Sequence, residues 1–410
     1  MAELTSENEV LTDFAVREHR SLWLDAWRRL ISNRTAMLGL VIVAIFLLSA
    51  IGAHFFWDYN PALDLDYSAK LLPPSLSEAE GAAGIHIFGT DKLGRDIFRR
   101  VVHGGWNSLR VGIIAVAISL IVGGIIGLLA GFFESTNMNR GEEFVITGLL
   151  GLACGALPAW IANQPVQALL FSLLGISSAW FSKFLAGQPA LRRAAYGLMG
   201  MLLGGMPGLL VGPMVGLVCG VVGLGIGFLL AKPMSGKAFS SLSMRVMDII
   251  LSFPSYLLAI AIVAFLGPGL EKGMIAIGFV GIPIYARLAR SAVLSVSQKE
   301  YILASQSIGE SHGRILFRHI LPNILSPIIV QSTMGLADAI LSAAALGFLG
   351  LGAIPPQPEW GAMLGDSYKY LSSGAWWAVL FPGLAIMLSV LGFNLLGDGL
   401  RDALDPKMRI

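Results

Sequence analysis

A run of apolar residues from Thr35 to Trp57 sets the strongest limit on the fold of this chain. It contains no Asp, Glu, Lys or Arg. An α-helix needs roughly 20 consecutive, mostly apolar residues to cross a bilayer, and this run is long enough. The composition agrees, because 55% of the 410 residues are hydrophobic and only 13% are charged, about half the charged share of soluble domains. The sequence therefore predicts an all-α, polytopic transmembrane helical bundle.

The composition also excludes several classes of protein. High hydrophobicity excludes intrinsic disorder, and a net charge of +2 is too small to indicate a nucleic-acid binder. Cys154 and Cys219 lie alone in apolar segments and the six histidines are scattered, so no metal site is predicted. The sequence has no G-x-x-x-x-G-K-[ST] phosphate loop and no protease motif. We therefore predict no catalytic residue, no cofactor bound by this chain and no enzyme activity.

Six core spans are predicted in two parts of the chain. Residues 35–133 hold the first two spans, which are separated by an outer loop at 58–107, and residues 244–410 hold the other four. The predicted core spans are Thr35–Trp57, Ser108–Phe133, Val246–Leu266, Gly273–Val293, Ile324–Gly350 and Trp376–Leu396.

Charges beside the first span predict its orientation. Residues 1–34 carry basic side chains just before it, so the positive-inside rule places this segment in the cytoplasm. With an even number of crossings, the C-terminus is cytoplasmic too. Within the first segment, Leu22–Ile31 has an apolar and a basic face and is predicted to lie along the membrane surface. Four basic residues of the outer loop oppose the rule, which weakens for long loops: Lys92, Arg95, Arg99 and Arg100.

Residues 134–243 are predicted to form a hydrophobic insertion between the two parts. Its number of crossings must be even, because both flanking core spans reach the cytoplasm here. About four crossings fit the positions of the basic residues, and two would fit if the shorter segments are re-entrant. Six glycines at a spacing of four, from Gly200 to Gly220, allow helices to approach closely. They fit either packing within the chain or a docking surface for another subunit. The predicted inserted spans are Phe144–Ala162, Val166–Ala186, Ala194–Leu210 and Val211–Ala231.

Asp338 is the one carboxylate in the middle of a predicted core span. Ionisable residues inside spans are candidates for function by default. The residue is expected either to line a polar pathway or to hold helices or a partner in place. A carrier driven by an ion gradient usually has more such charges, so their scarcity indicates that energy enters elsewhere.

Four stretches, in this order along the chain, resemble one family. The first spans residues 88–96 and contains a loop signature, G-T-D-x-x-G-R-D. The second is R-V-M-D-I-I with F-P at 245–254, the third runs over 300–323, and the fourth covers 346–363 and 393–406. Together they resemble the permease subunits of dipeptide, oligopeptide and nickel ABC importers, and in particular the C-type subunit, over about 20–133 and 244–410. The signature residues of the outer loop are Gly89, Thr90, Asp91, Gly94, Arg95 and Asp96.

The third stretch resembles the cytoplasmic signature of such permeases, E-A-A-x3-G-x9-I-x-L-P. The resemblance implies that residues 295–323 form two short helices separated by a glycine break, which dock on a separate ATPase subunit and transmit its closure. Leu303 replaces the family glutamate and His319 replaces the usual isoleucine, so no charge pair with the ATPase can form at position 303. The predicted coupling residues are Glu300, Tyr301, Ala304, Gly309, Arg318, Leu321 and Pro322.

The outer-loop signature has two interpretations. The resemblance implies a folded outer gate or a contact with a substrate-binding protein. The alternative is a structural turn, in which Asp91 or Asp96 caps the helix that contains Ile97–Val102.

The resemblance implies a function in import. The six core spans would be those of a type I ABC importer permease, with about four inserted spans, in the plasma membrane of a bacterium or archaeon and in contact with its lipid. Implied partners are a second, B-type permease subunit, one or two ABC ATPase subunits that hold ATP and Mg, and an extracytoplasmic substrate-binding protein. Peptides are the implied cargo, with nickel chelates, glutathione and other solutes left open, and no substrate-binding residue is predicted. The alternatives are an ion-coupled secondary carrier and a non-transporting membrane scaffold.

Overall fold

A computed structural model describes residues 22–60, 64–77, 85–136 and 236–404, with the isolated positions 198, 201 and 221. Apart from these three positions, the predicted inserted spans and the repeat of glycines lie outside the described residues. So do residues 405–410 at the C-terminus. The described part of the chain is helical, with one isolated bridge between Thr90 and Asp96.

The helices follow one another with short connections in each described stretch. They are α1 (Leu22–Ser32), α2 (Arg34–Phe56), α3 (Ile97–Ser135), α4 (Gly236–Ser252), α5 (Ser255–Leu266), α6 (Leu270–Ser297), α7 (Glu300–Ser307), α8 (His312–Phe348), α9 (Trp360–Ser367) and α10 (Trp377–Leu404). π-Helical turns lie within α3 at Ser119–Gly123 and within α8 at Ile315–Ile320. By length and composition, α2, α3, α6, α8 and α10 can each cross a membrane.

The helices α4 and α5 make a sixth span only if they are taken together, because they meet at an angle of 89°. The predicted span Val246–Leu266 therefore contains a sharp bend. Pro254 stands at the N-cap of α5, and proline disfavours helical backbone at the residue before it, here Phe253. The proline explains why α4 ends at Ser252.

Polar residues extend several helices beyond the predicted spans. α3 begins at Ile97, before the predicted start at Ser108, because the Asp96 side chain caps its first turn by accepting a hydrogen bond from the Arg99 N–H at 3.0 Å. The capping interpretation is thus confirmed for Asp96, and α3 includes the last residues of the predicted outer loop. α8 also begins before its predicted start, at His312, although no side chain caps its first turn, and α10 continues beyond its predicted end to Leu404.

The described residues fall into two compact units. Unit 1 comprises the described parts of Met1–Ile125, Met247–Ala292 and Glu310–Ile410. Unit 2 comprises those of Ile126–Val246 and Val293–Gly309. Inside unit 2, the Ser240 hydroxyl donates to the Glu134 carboxylate at 2.6 Å.

Glycines bring the spanning helices of unit 1 close together. A Cβ atom at Gly123 would lie 2.3 Å from the Ile282 carbonyl oxygen, and one at Gly278 would lie 2.8 Å from the Ile118 side chain. α3 and α6 therefore touch backbone to backbone. Helices in lipid usually associate through small residues, because burial of apolar surface contributes little to association there.

Aromatic side chains fill the core where α2, α8, α9 and α10 meet. The Phe46 ring lies 5.4 Å from that of Trp360 and 6.1 Å from that of Phe393, centroid to centroid. Ile340 of α8 is buried in the same cluster. These contacts hold the short helix α9 against the long spanning helices.

A buried carboxylate begins α9. The side chain of Glu359 is only 1% exposed, and it accepts hydrogen bonds from the N–H groups of Gly361 and Ala362, each at 2.8 Å. A Cβ atom at Gly347 would lie 2.0 Å from Glu359 Oε2, so a glycine of α8 makes room for the carboxylate. Burial raises the pKa of Glu359 from its ordinary value of 4.5 to about 7, against the lowering effect of the two backbone hydrogen bonds.

We expect Glu359 to make stability depend on pH. Its folded pKa lies above its ordinary value, so its contribution is fully present below pH 4.5 and is lost as the pH rises through about 7. The full span of this effect is about 3 kcal/mol. The melting temperature of the purified protein at about pH 5.5 and about pH 8 measures it.

Glu359→Gln is the matched variant, because it keeps the size and removes the titration. The wild type should lose more stability than the variant between the two pH values. An equal loss in both proteins would show that Glu359 does not titrate in this range.

Candidate functional site

The predicted coupling region contains one short, largely exposed helix, α7. Glu300, in its first turn, complements the positive end of the helix. Tyr301 and Leu303 are 45% and 51% exposed, and Ile308, just after the helix, is 83% exposed. Ala304 is exposed as well. Exposed apolar side chains this close together are typical of a docking surface.

Gly309 ends this helix in a left-handed conformation. Its φ angle is +78°, and its N–H donates to the Gln306 carbonyl oxygen at 3.0 Å while the Ile308 N–H donates to the Ala304 carbonyl oxygen at 3.1 Å. This is the usual glycine position after a helix C-terminus. Apart from Gly309 itself and its chain neighbours, no atom lies within 4 Å of where a Cβ at this position would stand, so backbone conformation rather than space requires the glycine.

The second predicted short helix is the beginning of α8 itself. The chain is helical from His312 through to Phe348, with a π-helical turn but without a break. The predicted residues Arg318 and Pro322 are exposed there, and Leu321 is half-buried.

Glu310 stabilises the first turns of α8, a feature not predicted from the sequence. Its carboxylate lies 3.1 Å from Nε2 of His319 and 3.9 Å from Nε of Arg314. His319 thus pairs within the chain at the position where the family carries isoleucine. A histidine spaced nine residues from a glutamate gives no periodic signal by which this pair could have been found.

The outer-loop signature forms a tight, buried turn. Gly89 and Gly94 have φ angles of +74° and +76°, and a Cβ atom at Gly94 would lie 1.6 Å from the Asp66 carbonyl oxygen. Only glycine satisfies both conditions. The fully buried Thr90 hydroxyl accepts from the Leu72 N–H at 2.8 Å and donates to the Ala69 carbonyl.

Asp91 organises the charges of this turn. Its carboxylate accepts from the N–H groups of Leu93 and Arg95 at 2.8 and 3.0 Å, and from Arg95 Nε at 2.6 Å. Arg100 Nε lies 3.7 Å away. All three charged side chains are less than 10% exposed. A buried charge is stable only with such partners.

The turn is anchored to the helices of unit 1 by side chains that were not predicted as site residues. The Trp377 indole N–H donates to the Thr90 carbonyl at 3.1 Å, and Lys92 Nζ lies 3.0 Å from Asp366. His86 Nδ1 lies 2.8 Å from Asp96.

In the segment before α3, burial also shifts the pKa values of two side chains near the turn, Tyr59 and Asp64. Tyr59 stacks on His103 with 4.5 Å between ring centroids. Burial raises the pKa of Tyr59 and that of Asp64. Both residues add to a polar, largely buried cluster at this end of α3.

The third candidate, Asp338, lies on α8 beside a cavity of about 260 Å³. Tyr285 and Gly335 also line it. The predicted coupling residues, the signature turn at residues 89–96 and Asp338 are therefore three separate candidate sites along the chain. Among the described residues no cluster of metal-ligating side chains occurs.

Comparison with known proteins identifies the family. Residues 223–410 match the family described as the binding-protein-dependent transport system inner membrane component, and residues 21–74 match the N-terminal TM domain of oligopeptide transport permease C. The first match begins within the predicted insertion, whose boundaries stay predictions.

Several relatives align over most of the chain. A dipeptide transport system permease protein of Alkalihalophilus pseudofirmus is 39% identical over 389 residues, 95% of this chain and 91% of the relative. A di/tripeptide transport system permease protein of Pseudomonas aeruginosa is 36% identical over 93% of this chain and 91% of its own. A glutathione transport system permease protein of Pectobacterium atrosepticum is 31% identical over 95% and 93%. The chain is a multi-pass membrane protein and belongs to the family of binding-protein-dependent ABC permeases that includes these peptide transport subunits.

Proposed function

We propose that this chain is the C-type permease subunit of an ATP-driven importer of di- or oligopeptides. Relatives named for dipeptide and di/tripeptide transport, at 39% and 36% identity, favour peptide cargo. The exposed helix α7, closed by Gly309, is the observation that carries the ATP-driven part of the proposal. It presents apolar side chains to an external partner.

The proposal names a set of partners. A second, B-type permease subunit completes the pathway, one or two ATPase subunits bind ATP and Mg, and an extracytoplasmic substrate-binding protein delivers the cargo. The complex would lie in the plasma membrane of a bacterium or archaeon, with both termini of this chain in the cytoplasm. This chain supplies the pathway and the coupling surface.

Docking at α7 would rely on shape and apolar contact. The position of the family glutamate is Leu303, which is 51% exposed, so it adds to the apolar surface of its neighbours Tyr301 and Ile308. Apolar anchors seated in a pocket account for much of the affinity of many interfaces. ATP binding closes the ATPase pair, and the docked helix passes that movement to the spanning helices as a rigid body.

The outer turn is proposed as the contact for the substrate-binding protein. Buried ion pairs, two left-handed glycines and the Trp377 anchor give it a defined shape. A rigid surface loses little conformational entropy when a partner binds.

The coupling assignment predicts different results at two glycines of one segment. Gly309→Ala places a side chain in a left-handed conformation, which costs about 1 kcal/mol or more, and Gly309→Pro cannot adopt the observed φ angle of +78°. Both variants should release ATPase subunits in a mild-detergent pull-down of the tagged chain, the proline variant completely.

Gly313→Ala is the control, because Gly313 lies in helical backbone and an added Cβ atom would meet no other atom within 4 Å. It should retain the ATPase subunits and their activity in the eluate. Wild-type protein that purifies without any ATPase subunit would contradict the proposal.

We expect substitution of a buried charge in the outer turn to have a larger effect than substitution of a partly exposed one. Asp91→Asn removes the partner of two buried arginines, which costs about 3–5 kcal/mol locally. Lys92→Gln removes a partly exposed pair with Asp366, worth about 1 kcal/mol or less. Limited trypsin digestion should cut the first variant near residues 92–100 and spare the second.

Binding of the substrate-binding protein to the assembled complex supplies the functional readout. Asp91→Asn should weaken it, and Lys92→Gln should leave it within about twofold of wild type. Unchanged binding by a variant whose turn is cut by trypsin would exclude the turn as the contact.

A further inference from the structure

Asp338 presents a carboxylate on the surface of a spanning helix. It lies well inside α8, which continues to Phe348, and its side chain is exposed in the isolated chain. Within the described residues, no hydrogen bond or ion pair occupies its carboxylate. A carboxylate that faces lipid at the middle of a spanning helix is strongly unfavourable. The side chain is therefore expected to face water or a ligand.

The carboxylate belongs to a polar face of α8. Gln331, Gly335, Asp338 and Ser342 succeed one another at spacings of four, three and four, which place them on one side of a helix. All four line the cavity of about 260 Å³ in unit 1. That volume is slightly below the roughly 300–1,000 Å³ of small-molecule pockets, so it suits the end of a small peptide rather than a bulky molecule.

The rest of the cavity is built to keep this face open. A Cβ atom at Gly335 would lie 2.6 Å from the Tyr285 hydroxyl, so the glycine admits the tyrosine, whose hydroxyl donates to the Gln331 carbonyl at 3.4 Å. The Ser119 hydroxyl, on the π-helical turn of α3, donates to the Gly278 carbonyl at 2.7 Å. The side chains of Gln331 and Ser342 make no such bond among the described residues.

We propose that Asp338, with Gln331 and Ser342, binds the ammonium group at the free N-terminus of the transported peptide. An ammonium group offers three hydrogen-bond donors and one positive charge. One carboxylate, one amide oxygen and one hydroxyl supply three acceptors and one negative charge in the same cavity. Charge-assisted bonds of this kind are about twice as strong as neutral ones. This inference rests on the proposed peptide cargo and adds a substrate site in the pathway.

The composition of the site favours a monovalent organic cation over a metal ion. Divalent cations in proteins take six or more oxygen ligands, several of them carboxylates, and Asp338 is the one carboxylate among the described residues that line this cavity. The apolar walls, which include Ala115, Val116 and Ile284, suit the carbon atoms of a peptide.

Thiol accessibility tests the site in the assembled complex. Ile284→Cys, in a background with Cys154→Ser and Cys219→Ser, places a thiol in the wall of the same cavity without removing a proposed ligand. Cationic and anionic thiosulfonate reagents are compared by the rate at which each modifies this chain, read by intact mass. The cationic reagent should react faster, and Asp338→Asn should lower the rate ratio about tenfold, while Asp338→Glu should keep it.

Protection by ligand then identifies the group that binds. Dialanine should slow modification of the introduced thiol, and N-acetyl-dialanine, which lacks the ammonium group, should not. Asp338→Asn should abolish the protection. Equal protection by both peptides, or by neither, would overturn the proposal, as would a thiol that neither reagent reaches, because the partner permease then covers the cavity.

Failure of this inference can be told apart from failure of the proposed function. Uptake of dialanine by the wild-type complex depends on peptide cargo alone. A complex that imports dialanine but shows no protection retains the proposed function without an ammonium site at Asp338. A complex that imports no peptide removes the basis of both.

Discussion

The low dielectric of the membrane and of the protein interior penalises every polar group that lacks a partner, and this constraint decides where the chain can carry charge. Backbone groups satisfy it inside helices, and most side chains in the spans are apolar. Asp91 satisfies it through two arginines and two backbone N–H groups, and Glu359 through two N–H groups and a raised pKa. Asp338 has no such partner among the described residues, and it is therefore the charge that most needs water or a ligand.

The helix α8 joins the features of unit 1 that bear on transport. It begins beside the Glu310–His319 pair, carries the polar face around Asp338, and ends where Gly347 accommodates Glu359 of α9. A continuous helix of 37 residues can move as one body. A displacement of the first turns of α8 would then move the residues at the cavity and at α9. Alternating access requires movement to be transmitted in this way.

The close contacts around α8 limit how such a movement can occur. Helices α3 and α6 meet through glycines with their backbones in contact, so one helix cannot slide along the other without steric conflict. Packed interfaces of this type tend to switch between discrete arrangements. The sharp bend between α4 and α5, at Pro254, adds a position where one span is already divided.

Much of the fold could be predicted from the sequence, because spans that cross lipid need long apolar runs. Helix ends were less predictable, since hydropathy does not detect the polar sequence in which Ile97 and His312 begin helices. At Ile97 the capping residue Asp96 supplied the signal instead. The outer signature and Gly309 were found by resemblance, and their left-handed glycines explain why those positions matter. Asp338 was found as a charge inside a span. Glu359 and the His319–Glu310 pair were missed, because isolated polar residues give no periodic pattern.

The most direct test of the central claim is uptake of labelled dialanine into proteoliposomes that contain the complete complex and its substrate-binding protein. The account predicts that uptake requires ATP on the side of the membrane where the ATPase subunits bind. Uptake should continue when ionophores collapse the ion gradients. Uptake that proceeds without ATP and stops when a proton or sodium gradient is removed would contradict it, and would make the chain an ion-coupled carrier.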